Sequence, residues 1–115
     1  MNAIIIIIVG VIFAALGQVS WKIGMNEVET PSISSLASVL LNPFVLLGFV
    51  MYGLSTIFWL IALSKKDLSF VYPFMSLTYV LVLVLSSLVL KESVGPNKLV
   101  GALIIILGLI IIARY

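Results

Sequence analysis

Four long apolar runs separated by short polar clusters set out this chain. They cover about residues 3–23, 43–64, 71–90 and 96–113, and each is long enough, at about 1.5 Å per helical residue, to cross the roughly 30 Å hydrocarbon core of a bilayer. The breaks carry the punctuation of helix ends: Asn42-Pro43 offers a cap and a proline at the first helical position, Lys65-Lys66-Asp67 closes the second run, and Ser93-Val94-Gly95-Pro96-Asn97 forms a tight turn. One connection is long, from Gly24 to Asn42, and it holds Glu27, Glu29, Pro31 and the serines Ser32, Ser34, Ser35 and Ser38. Its apolar end is too short to span, so a short interfacial helix is expected over 34–41. The first run follows Met1-Asn2 with no basic start, so it reads as a retained span rather than a cleaved signal.

Inside the runs the polar and small positions recur at helical spacing. Tyr72, Ser76 and Tyr79 fall at i, i+4 and i+7, with Ser86 and Ser87 continuing the stripe, and Pro73 is placed in the first turn of that helix. Gly48, Tyr52, Ser55 and Trp59 make a second stripe at i, i+4, i+7 and i+11. Gly10, Ala14 and Gly17 give the first helix a seam that admits another backbone, and Gly101 and Gly108 do the same for the fourth, inside one copy or across a dimer. Gln18 and Ser20 lie near the exit of the first helix, where Trp21 and Lys22 suit the headgroup level. A row of hydroxyls and amides in hydrocarbon costs free energy unless something bonds to it, so these stripes either tie helices together or line a route for a polar solute.

Composition narrows the class. The 115 residues are 63% hydrophobic and only 9% charged, which together with the four runs makes an all-α membrane protein of four transmembrane helices in one domain. Six basic against four acidic residues give too little charge for a nucleic-acid partner. With no cysteine and no histidine, disulfides and the usual zinc or haem ligands are excluded, and no metal or other cofactor is expected. No nucleophile–base pair or intramembrane carboxylate pair supports an enzyme. Lys65, Lys66 and Arg114 fall on the side of the termini and Lys22, Lys91 and Lys98 on the other, so the cation count gives no orientation. Such a chain either pairs with its own inverted copy, or holds one topology beside a partner of opposite bias.

Several local patterns, in order on the four helices, carry a resemblance: Gly17-Gln18 through Lys22, Phe58-Trp59-Leu60-Ile61-Ala62, Tyr72-Pro73-Phe74-Met75-Ser76-Leu77, Lys91-Glu92-Ser93-Val94-Gly95-Pro96, and Gly101 to Gly108. Across nearly its full length the chain resembles the four-helix branch of the drug/metabolite transporter superfamily (small multidrug resistance-like and EamA-like), and within it the subunits that flip aminoarabinose linked to undecaprenyl phosphate. In the multidrug exporters of that branch a glutamate in the middle of helix one exchanges protons for cationic drugs; the position that lines up here is Ala14. Glu27, Glu29, Asp67 and Glu92 all lie outside the runs.

The resemblance implies a cell-membrane flippase, or a flippase subunit, for a polyprenyl-phosphate-linked sugar or similar lipid. It would act as a homodimer, antiparallel included, or as a heterodimer with a sister subunit. The candidate substrate-binding residues are Gln18, Lys22, Tyr52, Trp59, Tyr72, Ser76 and Tyr79, with Lys22 or Lys65 meeting the phosphate. Glu92 is expected to position the turn between helices three and four through Lys91, Lys98 or backbone N–H groups. Two other functions stay open on the residues alone: a small-molecule or multidrug exporter, and a membrane scaffold subunit for which the glycine seams are the whole purpose.

Overall fold

The structure, a computed structural model, describes residues 2–28 and 36–114. Within them the elements are α1 (Ala3–Asn26), α2 (Leu36–Leu41), α3 (Pro43–Lys65), α4 (Leu68–Val71), a 3₁₀ turn (Tyr72–Phe74), α5 (Met75–Leu88) and α6 (Pro96–Ala113). Four helical stretches are long and apolar enough to cross a membrane: α1, α3, the continuous α4–3₁₀–α5 stretch and α6. The serine-rich part of the long connection, with Glu29, Pro31, Ser32, Ser34 and Ser35, lies outside the described residues; α2 accounts for the rest of the expected 34–41 helix and buries none of its side chains.

Local chemistry explains the ends. The Asn2 side chain accepts from the Ile4 N–H at 2.9 Å, and the Asn42 side chain accepts from the N–H groups of Phe44 and Val45 at 2.9 and 3.4 Å, so each asparagine satisfies donors that a first turn leaves unpaired. Between those caps even the isoleucine-rich start of α1 is helical, because in lipid only internal hydrogen bonds can satisfy the backbone. At the end of α5, Lys91 takes a left-handed conformation (φ 56°) and the Glu92 N–H reaches back to the Ser86 carbonyl at 3.1 Å. This is a glycine-type helix stop built with a lysine, and it turns the chain into α6.

Two boundaries differ from the sequence reading. The first helix runs to Asn26, about one turn past 23, which adds Gly24 and Met25 to it. The third span begins at Leu68, so Pro73 sits inside it and not in its first turn. A proline there has no N–H for the carbonyl four residues back and its ring crowds that carbonyl, and the chain answers by tightening to 3₁₀ geometry over Tyr72–Phe74.

The organising element is α1, more than half of whose apolar window is buried while the other spans bury less than a fifth of theirs. Its glycines set the approach of α3. A Cβ on Gly17 would stand 2.9 Å from the Gly48 carbonyl oxygen and 3.2 Å from the Tyr52 nitrogen; one on Gly24 would meet Val45 and Asn42; one on Gly48 would run into the Trp21 ring. Gly10, Gly17 and Gly24 therefore form a heptad-spaced track on which α3 lies, about two turns longer than the Gly10–Gly17 seam read from the sequence. The hydroxyl of Ser20 donates to the Phe44 carbonyl at 2.6 Å and the Trp21 Nε1–H to the Val45 carbonyl at 3.1 Å, tying the two helices where they enter the headgroup region. At the opposite end, by the termini, Ile6, Ile7 and Val11 of α1 pack with Ala62, Val71, Phe74 and Leu109 into the hydrophobic core. By contrast α6 buries only Ala102 and Leu109, and a Cβ on Gly101 or Gly108 would meet nothing within 4 Å. Those two glycines do not pack inside the monomer.

Candidate functional site: a neutral cleft between three helices

Both α3 and the third span rest on α1, but they touch each other far less, and the space between them is a half-open cleft of about 260 Å³. Its floor is Gly10, Val11, Ala14 and Gln18 of α1. One wall is Tyr52, Ser55, Thr56 and Trp59 of α3, the other Met75, Thr78, Tyr79 and Val82 of α5. Each wall repeats the i, i+3, i+4, i+7 pattern, so a single helical face on either side looks into the same space. From Gly10 to Gln18 the floor runs about 12 Å along α1, near the middle of the span. The core around Ile7 and Phe74 lies beneath it on the terminal side.

None of the lining residues carries a charge, and the position aligned with the exporters' glutamate, Ala14, is a buried part of the floor. What the cleft offers is an amide, two phenols, three hydroxyls and an indole. Their availability differs. Thr56 donates to its own helix at the Tyr52 carbonyl, 3.0 Å away. Outside the cleft, Ser64, Ser76 and Ser86 likewise bond carbonyls three residues back. Ser55 and Thr78 are 7% and 9% exposed, yet neither makes such a bond among the described residues. Because no fully enclosed side-chain oxygen among the described residues lacks a partner, these two oxygens lie at the cleft surface with hydrogen-bonding capacity unspent.

Of the residues singled out in the sequence, Gln18, Tyr52, Trp59 and Tyr79 come together in the cleft. Tyr72 and Ser76 do not line it. Tyr72 belongs to the 3₁₀ turn and is 59% exposed on the outer surface, and Ser76 is spent on the Pro73 carbonyl at 2.6 Å. The lining on the third span ends at Met75, a turn short of Tyr72, and Ser76 lies roughly a third of a turn from the cleft face of α5. The continuation at Ser86 and Ser87 is likewise no lining: Ser86 is buried on the Leu83 carbonyl and Ser87 is exposed. Lys22 stands exposed one turn above Gln18, and Lys65 is exposed at the far end of α3. Glu92 is exposed, and the group that closes its turn is its backbone N–H. The sequence reading did not single out Thr56 or Thr78 and kept Ser55 only as a stripe member; spacing of three and four from Tyr52 is the signal for Ser55 and Thr56, and spacing of three from Met75 and four from Val82 the signal for Thr78.

Comparison with known proteins agrees with this architecture. The "Probable 4-amino-4-deoxy-L-arabinose-phosphoundecaprenol flippase subunit ArnF" of Erwinia tasmaniensis is 36% identical, covering 89% of this chain and 87% of that one. The protein of the same name from Aeromonas hydrophila is 32% identical over 89% and 73% of the two chains. The "Probable 4-amino-4-deoxy-L-arabinose-phosphoundecaprenol flippase subunit ArnE" of Pseudomonas aeruginosa is 27% identical over 90% of each. No solved structure matches significantly. The profile of the EamA-like transporter family matches residues 1–114, and with four spans built around a polar cleft this multi-pass membrane protein belongs to that family.

Proposed function

We propose that this chain is one subunit of a flippase that carries a polyprenyl-phosphate-linked sugar across the bilayer. The observation that carries this is the cleft: mid-membrane, lined by neutral hydroxyl, phenol and amide groups, and open on one side. A sugar loses its hydration on entering hydrocarbon, at a cost of a few kcal/mol for each unpaired hydroxyl, and Gln18, Tyr52, Ser55, Thr78 and Tyr79 replace that hydration group for group. The Trp59 ring gives the apolar face of a sugar ring a surface to lie on. Lys22, one turn further along α1 from Gln18, takes the phosphate at the membrane surface. Most of the prenyl chain stays in lipid, because the open side spares it the need to enter a sealed pore. An exporter exchanging protons for cationic drugs is disfavoured by Ala14 and by the absence of any carboxylate in the lining.

A relative named ArnE and another named ArnF are each called a flippase subunit, which supports a sister four-helix chain as the partner. The exposed α6, whose Gly101 and Gly108 meet open space within the monomer, is the surface we assign to that contact. Reconstitution into liposomes tests the reading. The chain with its sister subunit should speed movement of a lipid-linked aminosugar between leaflets at least tenfold over protein-free vesicles; unchanged movement with every sister subunit tried would refute it.

A further inference from the structure

A second concavity lies where α1, α2 and α3 meet at the membrane surface. It has a volume of about 270 Å³, is lined by Trp21, Met25, Val39, Leu40, Val45 and Phe49, and presents no polar surface at all. It shares a wall with the cleft. The Trp21 ring stacks on Tyr52, a cleft residue, with centroids 5.2 Å apart, and meets Phe49, a groove residue, edge-on at 5.2 Å. Gly48 lets the ring sit there, and the bond from Nε1 to the Val45 carbonyl fixes its tilt.

The order of chemistry along α1 is the informative feature. Gln18 faces the cleft; Lys22 follows at i+4 as an exposed cation; Met25 follows at i+3 from Lys22 and faces the groove. Within seven residues, about 10 Å of helix, the surface passes from hydrogen-bonding groups to a positive charge to a purely apolar hollow. A sugar joined through a phosphate to a prenyl chain passes through the same three kinds of group in the same order. A hollow without polar groups stays dry and takes apolar occupants, so at headgroup depth it suits a hydrocarbon chain.

We propose that the groove of Trp21, Met25, Val39, Leu40, Val45 and Phe49 holds the first isoprene units of the transported lipid while Lys22 holds its phosphate. Its occupant is the substrate's own prenyl chain and not the acyl chain of a bulk phospholipid, because a prenyl phosphate joins its first isoprene directly to the phosphate, whereas a phospholipid would bring polar glycerol esters into a hollow without polar groups. The inference rests on the flippase reading, but it has a readout that does not depend on transport.

Purified protein is incubated with a polyprenyl phosphate, lacking sugar, that bears a photoreactive diazirine on its first isoprene unit. Labelling should concentrate on the six groove residues. A Leu40→Asn substitution should weaken binding about fivefold to tenfold, the value of one lost apolar contact surface, and Leu40→Trp should block it by filling the hollow. Since α2 buries no side chain, neither change threatens the fold. An excess of phosphatidic acid should not displace the label. Labelling spread over α6 and the outer face of α3, or full displacement by phosphatidic acid, would overturn the proposal. If the groove is labelled but no lipid-linked sugar moves in liposomes, the flippase reading fails and the groove stands; if the sugar lipid moves while the label falls elsewhere, the groove fails alone.

Discussion

Gly17→Leu will leave no folded monomer in detergent, and Gly17→Ala will lower stability by about 1–3 kcal/mol, the cost of overpacking a close contact. The Ala variant's new methyl would stand 2.9 Å from the Gly48 carbonyl oxygen and 3.2 Å from the Tyr52 nitrogen. Both atoms are backbone, so no side chain can swing aside. Relief requires α1 and α3 to separate, and separation breaks the bonds from Ser20 to Phe44 and from Trp21 to Val45 as well as the Trp21–Tyr52 stack. Lipid tails are as apolar as the helices, and close packing with interhelical hydrogen bonds is the main attraction left to hold them. Gly101→Ala is the contrast: with nothing within 4 Å of its Cβ, it will leave the monomer's melting midpoint unchanged. Thermal unfolding followed by circular dichroism in detergent reads both.

Removing the two free hydroxyls from the cleft will cut flipping roughly fivefold to a hundredfold while the folded yield stays the same. Ser55→Ala combined with Thr78→Val takes away one hydrogen-bonding group from each wall and changes the space little. Each bond to a neutral partner contributes about 0.5–1.5 kcal/mol, so two lost bonds correspond to that range of rates. The same chemical change at Ser76 will do nothing to flipping, because its hydroxyl is spent on the Pro73 carbonyl outside the cleft. A scaffold without a transported substrate would give equal activity for all three proteins. The initial rate of lipid-linked sugar movement in proteoliposomes, normalised to reconstituted protein, decides the matter.

How much of this was legible in the residues follows from the range of the forces involved. Helix ends at Asn42-Pro43, Lys65-Lys66 and Gly95-Pro96 are written locally, since a cap or a break acts within one turn, and the four spans follow from them and from apolar length. Gln18, Tyr52, Trp59 and Tyr79 share the cleft because helical spacing alone puts each stripe on one face. Tyr72 and Ser76 fall outside the cleft because its lining stops at Met75, a turn short of Tyr72, and because Met75, Thr78, Tyr79 and Val82 set the cleft face of α5 about a third of a turn from Ser76. Which hydroxyls are free was not legible at all. Ser55, Ser76 and Ser86 are the same residue type on apolar helices, and only the surrounding packing leaves Ser55 facing a void. Gly24 was missed for a related reason: its place in the α1 track depends on Asn42 and Val45 arriving from across the long connection.

The central claim is that neutral polar side chains of three helices face one water-accessible space that a sugar headgroup can fill. The chain has no cysteine, so single thiols report on it without background. A thiol placed by Ser55→Cys should react with a small water-soluble thiol reagent and be protected by lipid-linked aminosugar, while one placed by Ile57→Cys, 55% exposed on α3 outside the cleft, should be shielded by lipid and stay unreactive. An inert thiol at Ser55, or one that reacts equally with and without the lipid-linked sugar, would contradict the account.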